Sequence, residues 1–186
     1  MNNLISQIES YAPFNEQEQQ DKAQILAFLR SGTQLLTRDN PTVHLTASAW
    51  VVSPDRKQVI MVYHNLYRSW SWMGGHADGD SDLLRVAKKE VMEECGLTEL
   101  RIVSPDIFSL EILSVAGHEK RGQYVSSHLH LNATYLFEAD PTQPLRIKPD
   151  ENSAVGWVNV EDIPAKTNEA WFRERIYSKL CQKAAI

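Results

Sequence analysis

Residues 75–97 constrain this chain most, because a glycine-rich stretch runs there directly into a helix that carries three carboxylates. The segment opens Gly75-His76-Ala77-Asp78-Gly79-Asp80-Ser81-Asp82 and closes Cys95-Gly96-Leu97. Glu90, Glu93 and Glu94 stand at positions n, n+3 and n+4, spacings that share one helix face. Carboxylates this close repel one another unless a cation sits among them. Near the C-terminal end of a helix they also oppose the macrodipole. The pattern therefore predicts a hard divalent cation with oxygen ligands, Mg²⁺ or Mn²⁺.

Gly74, Gly75 and Gly79 permit backbone conformations, and close approach of a ligand, that side chains forbid. The stretch reads as a loop, a helix of roughly three to four turns, and a second loop. Ser81 or Asp82 can cap the helix start, and Gly96 falls where a C-terminal cap glycine belongs. Leu84, Ala87, Val91 and Cys95 form the expected buried stripe. Glu90, Glu93 and Glu94 are expected to point away from it, into a cleft.

The span resembles the Nudix box. That pattern is Gly, five residues, Glu, seven residues, Arg-Glu, an aliphatic, any residue, Glu-Glu, any residue, Gly and an aliphatic. Gly75, Glu90, Val91, Glu93, Glu94, Gly96 and Leu97 match in register. Ser81 stands in place of the first glutamate, between Asp80 and Asp82, and Lys89 stands in place of the arginine. Lysine keeps the charge and loses the guanidinium fork. Met73 takes the place where the family commonly has proline before the paired glycines.

The resemblance implies a fold and a chemistry. The fold is α+β, a Nudix-like α/β/α sandwich with a curved mixed sheet, here with an N-terminal helical extension. Residues 1–42 are read as the extension and 43–186 as the hydrolase domain. The chemistry is Mg²⁺-dependent hydrolysis of the diphosphate linkage of a nucleoside diphosphate joined to another moiety. Glu90, Glu93 and Glu94 are the implied metal ligands, and Glu90 could also orient or deprotonate the attacking water. Glu151 is the candidate extra acidic residue. Gly74 and Gly75, Arg68 (two hydrogen bonds to a phosphate) and His130 are candidate substrate contacts. His128 shares the polar strand face with His130, and Trp70 and Trp72 could stack a base but are more simply core.

Two other readings use the same fold. A non-catalytic nucleotide-binding or regulatory module is favoured only by Ser81. An isomerase of isopentenyl diphosphate needs a cysteine in an enclosed pocket, and Cys95 lies instead on the expected buried stripe. The net charge of −5 gives no sign of nucleic-acid binding. The two cysteines, Cys95 and Cys181, lie far apart in sequence, and reduced structural thiols in a cytoplasmic protein are expected. No apolar run is long enough to span a membrane and no leader pattern is seen. The expected partner is a small nucleotide-linked substrate, with a homodimer as a further possibility.

Residues 3–37 read as helical, with Asn15 capping a second helix. Arg38-Asp39-Asn40-Pro41 is the expected joint. Strands are expected over Val43 to Val52 and Gln58 to His64 as a hairpin, then Ile107 to Val115, His128 to Glu138 and Ala154 to Val160. Residues 118–123 read as a charged loop. A closing helix over residues 167–183 should bury Trp171, Ile176 and Leu180.

Overall fold

A computed structural model describes residues 1–120 and 122–185. Two helices open the chain, α1 (Asn2–Ser10) and α2 (Glu16–Arg30). Asn15 caps α2 as expected, its side chain accepting the Glu18 N–H at 3.0 Å. Leu4, Ile8, Ile25 and Leu29 bury the apolar faces of both helices in the core beneath the sheet.

The strands are β1 (Val43–Val52), β2 (Gln58–His64), β3 (Ser69–Ser71) and β4 (Met73–His76), then, after helix α3 (Leu83–Cys95), β5 (Arg101–Ile102) and β6 (Ser109–Val115). A hairpin of β7 (His118–Lys120) and β8 (Gln123–Val125) follows, then β9 (His128–Glu138) and β10 (Asn152–Asn159). The main sheet runs β10-β2-β1-β9-β5, with β3 added to β2, β4 to β1 and β6 to β9. β1 and β9 are parallel from Val43↔Leu129 to Val52↔Glu138, and the other pairs are antiparallel. The sheet is therefore mixed, as the resemblance implies.

Every residue of β1 is buried, which suits a strand at the centre of a sheet covered on both faces. Leu45, Ala47, Ala49 and Val51 face the core shared with α1, α2 and α3. Trp50 and Val52 face the opposite core, closed by Ile176, Tyr177 and Leu180. This is α/β/α layering. The closing helix begins with a π-helical segment, Phe172–Tyr177, after short α4 (Ile163–Lys166), and continues as α5 (Ser178–Ala184). The wider winding shifts the apolar register. Ile176 and Leu180 are buried as expected, whereas Trp171 is exposed.

Two local expectations give way. Gly74 and Gly75 lie in β4, paired with Ser48 and Ala47, and not in a loop. Residues 118–120 and 123–125 pair as strands where a charged loop was expected, and Arg121 lies outside the described residues.

A buried polar network ties α2 to the sheet. Glu18 of α2 meets Lys179 of α5 at 3.1 Å, and Lys179 meets Glu111 of β6 at 3.0 Å. Glu111 accepts from Asn132 and Thr134 of β9, and Asn132 accepts from Thr46 and Ser48 of β1. Each charge has an opposite charge beside it and hydrogen bonds around it, which is what permits full burial.

Candidate active site

Helix α3 starts where the Asp82 carboxylate accepts the Arg85 N–H at 3.1 Å, and ends at Gly96, whose φ of 74° is left-handed. Leu83, Val86, Ala87, Val91 and Cys95 are buried, and Leu84 is only partly so. The buried face is thus wider than the sequence stripe, and it takes Glu94 with it. Glu94 is 3% exposed, where the sequence reading turned it outward.

Glu94 reaches β4 and accepts the Gly74 N–H at 2.9 Å. Burial, reinforced by the charges of Glu90 and Glu151, pushes its carboxyl up to about 8. Glu90 is half-buried one helical turn earlier, and burial, then the neighbouring Glu93, raises its pKa as well. Its carboxylate lies so close over Gly75 that a Cβ there would stand 2.5 Å from Oε1. Gly75 is needed for this close approach, not for a turn. Gly79, with φ of 94°, makes the turn.

Glu93 is exposed and pairs with Lys89 at 3.5 Å and Lys148 at 3.7 Å. Lys148 also pairs with Glu151 at 3.0 Å. The loop that carries these residues is pinned at three points. The Glu151 carbonyl accepts the Asn65 N–H at 3.0 Å. The buried Asn152 side chain donates to the Glu94 carbonyl at 3.0 Å and accepts the Lys148 N–H at 3.1 Å. Lys148 thus pairs directly with Glu93 and Glu151, and its charge also acts on Glu90 and Glu94.

Lys148 and Asn152 are the residues that sequence reasoning missed. They sit beside Glu151, yet only the packing of their loop on α3 reveals what they do. Arg68 is exposed at the turn between β2 and β3, with φ of 52°, and its carbonyl accepts from Asn168 at 2.7 Å. His130 lies on β9 among other imidazoles. Among the described residues neither has a hydrogen bond or ion pair with the four glutamates.

The box departures have visible consequences. Asp80 is held by Arg85 through two hydrogen bonds of 2.8 and 2.7 Å, and Asp82 caps α3. Both aspartates beside Ser81 are thus committed. Trp72 is buried edge-on against Tyr177, and Trp70 lies under Lys166. Cys95 is buried, its Sγ 3.0 Å from the Val91 carbonyl, and burial pushes the thiol up to about 11. A thiol so placed does not serve as a nucleophile.

The donor set consists of carboxylate oxygens, and burial holds two of the groups, Glu90 and Glu94, above their ordinary range. Such a set fits a hard divalent cation, which would add to the positive charge that Lys148 and Lys89 bring to it.

Similarity to known proteins agrees with this geometry. The chain resembles the C. elegans Ap4A hydrolase (19% identity, TM-score 0.53, covering 75% of this chain and 93% of that one). It also resembles RenU, a Nudix hydrolase from M. smegmatis (14%, 0.55, 76% and 86%). A third match is the E. coli dihydroneopterin triphosphate pyrophosphohydrolase (14%, 0.54, 78% and 97%). At these identities the likeness establishes the fold. A comparison with curated protein sequences gives no match. No helix of the described residues is long and apolar enough to cross a membrane. The model of the NUDIX domain matches residues 42–180, most of the chain, and the chain therefore belongs to the Nudix family, whose hydrolases act on phosphoanhydrides.

Proposed function

We propose that this protein is a Mg²⁺- or Mn²⁺-dependent pyrophosphohydrolase that cleaves the diphosphate linkage of a nucleoside diphosphate joined to another moiety, with water attacking phosphorus. The carrying observation is that Glu90 and Glu94 lie against the side-chain-free strand at Gly75 and Gly74, while Lys148 links Glu93 on the same helix to Glu151. A divalent ion bound there supplies charge neutralisation for diphosphate oxygens and a more acidic water.

The chain's own residues do the rest. Glu90, Glu93 and Glu94 would hold the cation, and α3 keeps their spacing rigid. Glu90, half-buried with a raised pKa, is suited to take a proton from the attacking water. Glu151 is the acidic residue from the opposite wall. Lys148, which pairs with Glu93 and Glu151, would offer its ammonium group to a substrate phosphate. Gly74 and Gly75 let the substrate approach the β4 backbone, and Arg68 is the more distant candidate contact.

We assign residues 43–186 to the hydrolase domain and 1–42 to the extension, and we place the protein in the cytoplasm. A homodimer is a further proposal, checked by sedimentation equilibrium of the full chain. The second reading, a binding module without turnover, draws on one observation: Ser81 replaces a box glutamate and both flanking aspartates are engaged elsewhere.

The test is a panel of sugar nucleotides, dinucleotide cofactors, dinucleoside polyphosphates and nucleoside triphosphates with Mg²⁺ or Mn²⁺ in ¹⁸O-labelled water. Label in a phosphate product is the expected result. Metal binding with silence across the panel would favour the binding module.

A further inference from the structure

Behind the carboxylates the sheet gathers imidazoles. The parallel register of β1 and β9 sets His44 beside His130. The antiparallel register of β1 and β4 sets His76 beside Thr46. Side chains alternate across a strand, so His44, His76, His128 and His130 share the face opposite to Gly75 and Glu90. The His44 ring lies 5.0 Å from His76, 5.0 Å from His128 and 4.9 Å from His130, and His76 lies 4.9 Å from His130. One nitrogen from each of His44, His76 and His130 lies within 4.8 Å of the other two. Around a tetrahedral zinc at about 2.0–2.1 Å, the geometry sets nitrogens about 3.3 Å apart. Small ring rotations close that difference.

The protonation pattern is fixed from outside. The His44 Nδ1 faces the Asn40 carbonyl at 3.1 Å, and a carbonyl only accepts, so Nδ1 carries the proton. Its Nε2 is then a bare lone pair. That atom is buried and has no hydrogen-bond partner among the described residues, on a side chain only 5% exposed. An orphaned acceptor of this kind is costly unless something occupies it. His128 repeats the arrangement, its Nδ1 at 2.8 Å from the Ser126 carbonyl. Carbonyl support of the far nitrogen is how proteins orient imidazole ligands.

We propose that His44, His76 and His130, with His128 beside them, form a second metal site for zinc or another first-row ion that prefers imidazole. Imidazole selects such ions, whereas the all-carboxylate cluster across the sheet suits Mg²⁺ or Mn²⁺. The two sites therefore sort two metals. The imidazole site clamps β1, β4 and β9 together one residue beyond Gly75, and so fixes the strand on which Glu90 and Glu94 rest. The competing arrangement is a hydrogen bond alone, from His130 Nε2 to His128 Nε2 at 3.1 Å, which leaves the His44 acceptor empty.

The experiment strips the full-length protein with a chelator and titrates it with Zn²⁺ in excess Mg²⁺. The expected result is one zinc per chain that Mg²⁺ does not displace, with zinc-edge X-ray absorption giving imidazole nitrogens at about 2.0–2.1 Å. His44→Ala and His130→Ala should each weaken zinc by more than the about 10–100-fold that loss of an outer-shell partner costs. Glu94→Gln should leave zinc affinity unchanged. If the histidine variants do not fold, the absorption spectrum of the natural protein decides alone. An oxygen-only shell, displacement by Mg²⁺, loss of zinc in Glu94→Gln, or no bound zinc would each overturn the proposal.

Discussion

The Glu90 carboxylate fills the space that a side chain at Gly75 would need, with 2.5 Å separating Oε1 from an ideal Cβ there. Gly75→Ala should therefore swing the carboxylate aside while the backbone stays put, because the atoms in the way end a flexible side chain. Turnover should fall on the order of 10–10²-fold, equivalent to about 1.4–2.7 kcal/mol, with little change in melting temperature. Gly74→Ala differs, since its Cβ would meet the Ala47 carbonyl at 2.8 Å and the Ser48 Cα at 3.0 Å. Backbone cannot yield as cheaply, and a loss of about 1–3 kcal/mol in denaturant unfolding is expected there.

Glu18 makes stability acid-sensitive. Burial alone would raise its pKa, but the Lys179 charge and hydrogen bonds from Tyr11, Phe14 and Ser109 hold it at about 2, below its ordinary 4.5. A depressed carboxylate stabilises the fold above its unfolded pKa, and the benefit is lost as pH falls from about 4.5 through about 2. Glu18→Gln should cost about 3 kcal/mol at pH 7, because it leaves buried lysine charge poorly balanced. The gap from the natural protein should close toward pH 2. Urea unfolding at both pH values checks this, and a gap that stays constant would refute it.

Lys148 stands between Glu93 and Glu151 and brings positive charge to both. Lys148→Met should let Mg²⁺ bind more tightly, lowering the concentration for half-activation about fivefold, the worth of about 1 kcal/mol between charges 4 Å apart in water. The same change should raise KM if the amine contacts substrate phosphate. Mg²⁺ activation curves at saturating substrate separate the two effects.

Asn152 joins the end of α3 to the loop of Glu151 through its amide. Asn152→Ala leaves the Glu94 carbonyl and the Lys148 N–H without that partner, at a cost of about 1–3 kcal/mol. Activity should fall further than stability alone accounts for, because Glu151 loses its anchor. Comparing kcat with the melting temperature tests this.

The fold was largely legible in the sequence, because strong local signals agreed. Asn15 and Gly96 cap their helices, and β1, β2 and β9 lie where alternation and β-branched content put them. What escaped detection depends on neighbours distant in the chain. Gly74 and Gly75 look like a loop by composition, yet β1 recruits them as a strand. Glu94 looks like a surface charge, yet the Gly74 N–H draws it inward. Trp171 looks like core, but the π-helical turn moves it out. His44, His76 and His130 are widely separated in sequence, and only the pairing of β1 with β4 and β9 assembles them.

The central claim is that the glutamates of α3 form a metal-dependent hydrolytic site. The most direct measurement compares Mg²⁺-dependent release of nucleoside monophosphate by the natural protein and by Glu94→Gln, whose fold is verified by circular dichroism. The account predicts turnover that requires the metal and drops by about 10²-fold or more in the variant, a loss of at least about 2.7 kcal/mol of transition-state stabilisation. Turnover that survives the substitution, or proceeds equally well in a chelator, would contradict it.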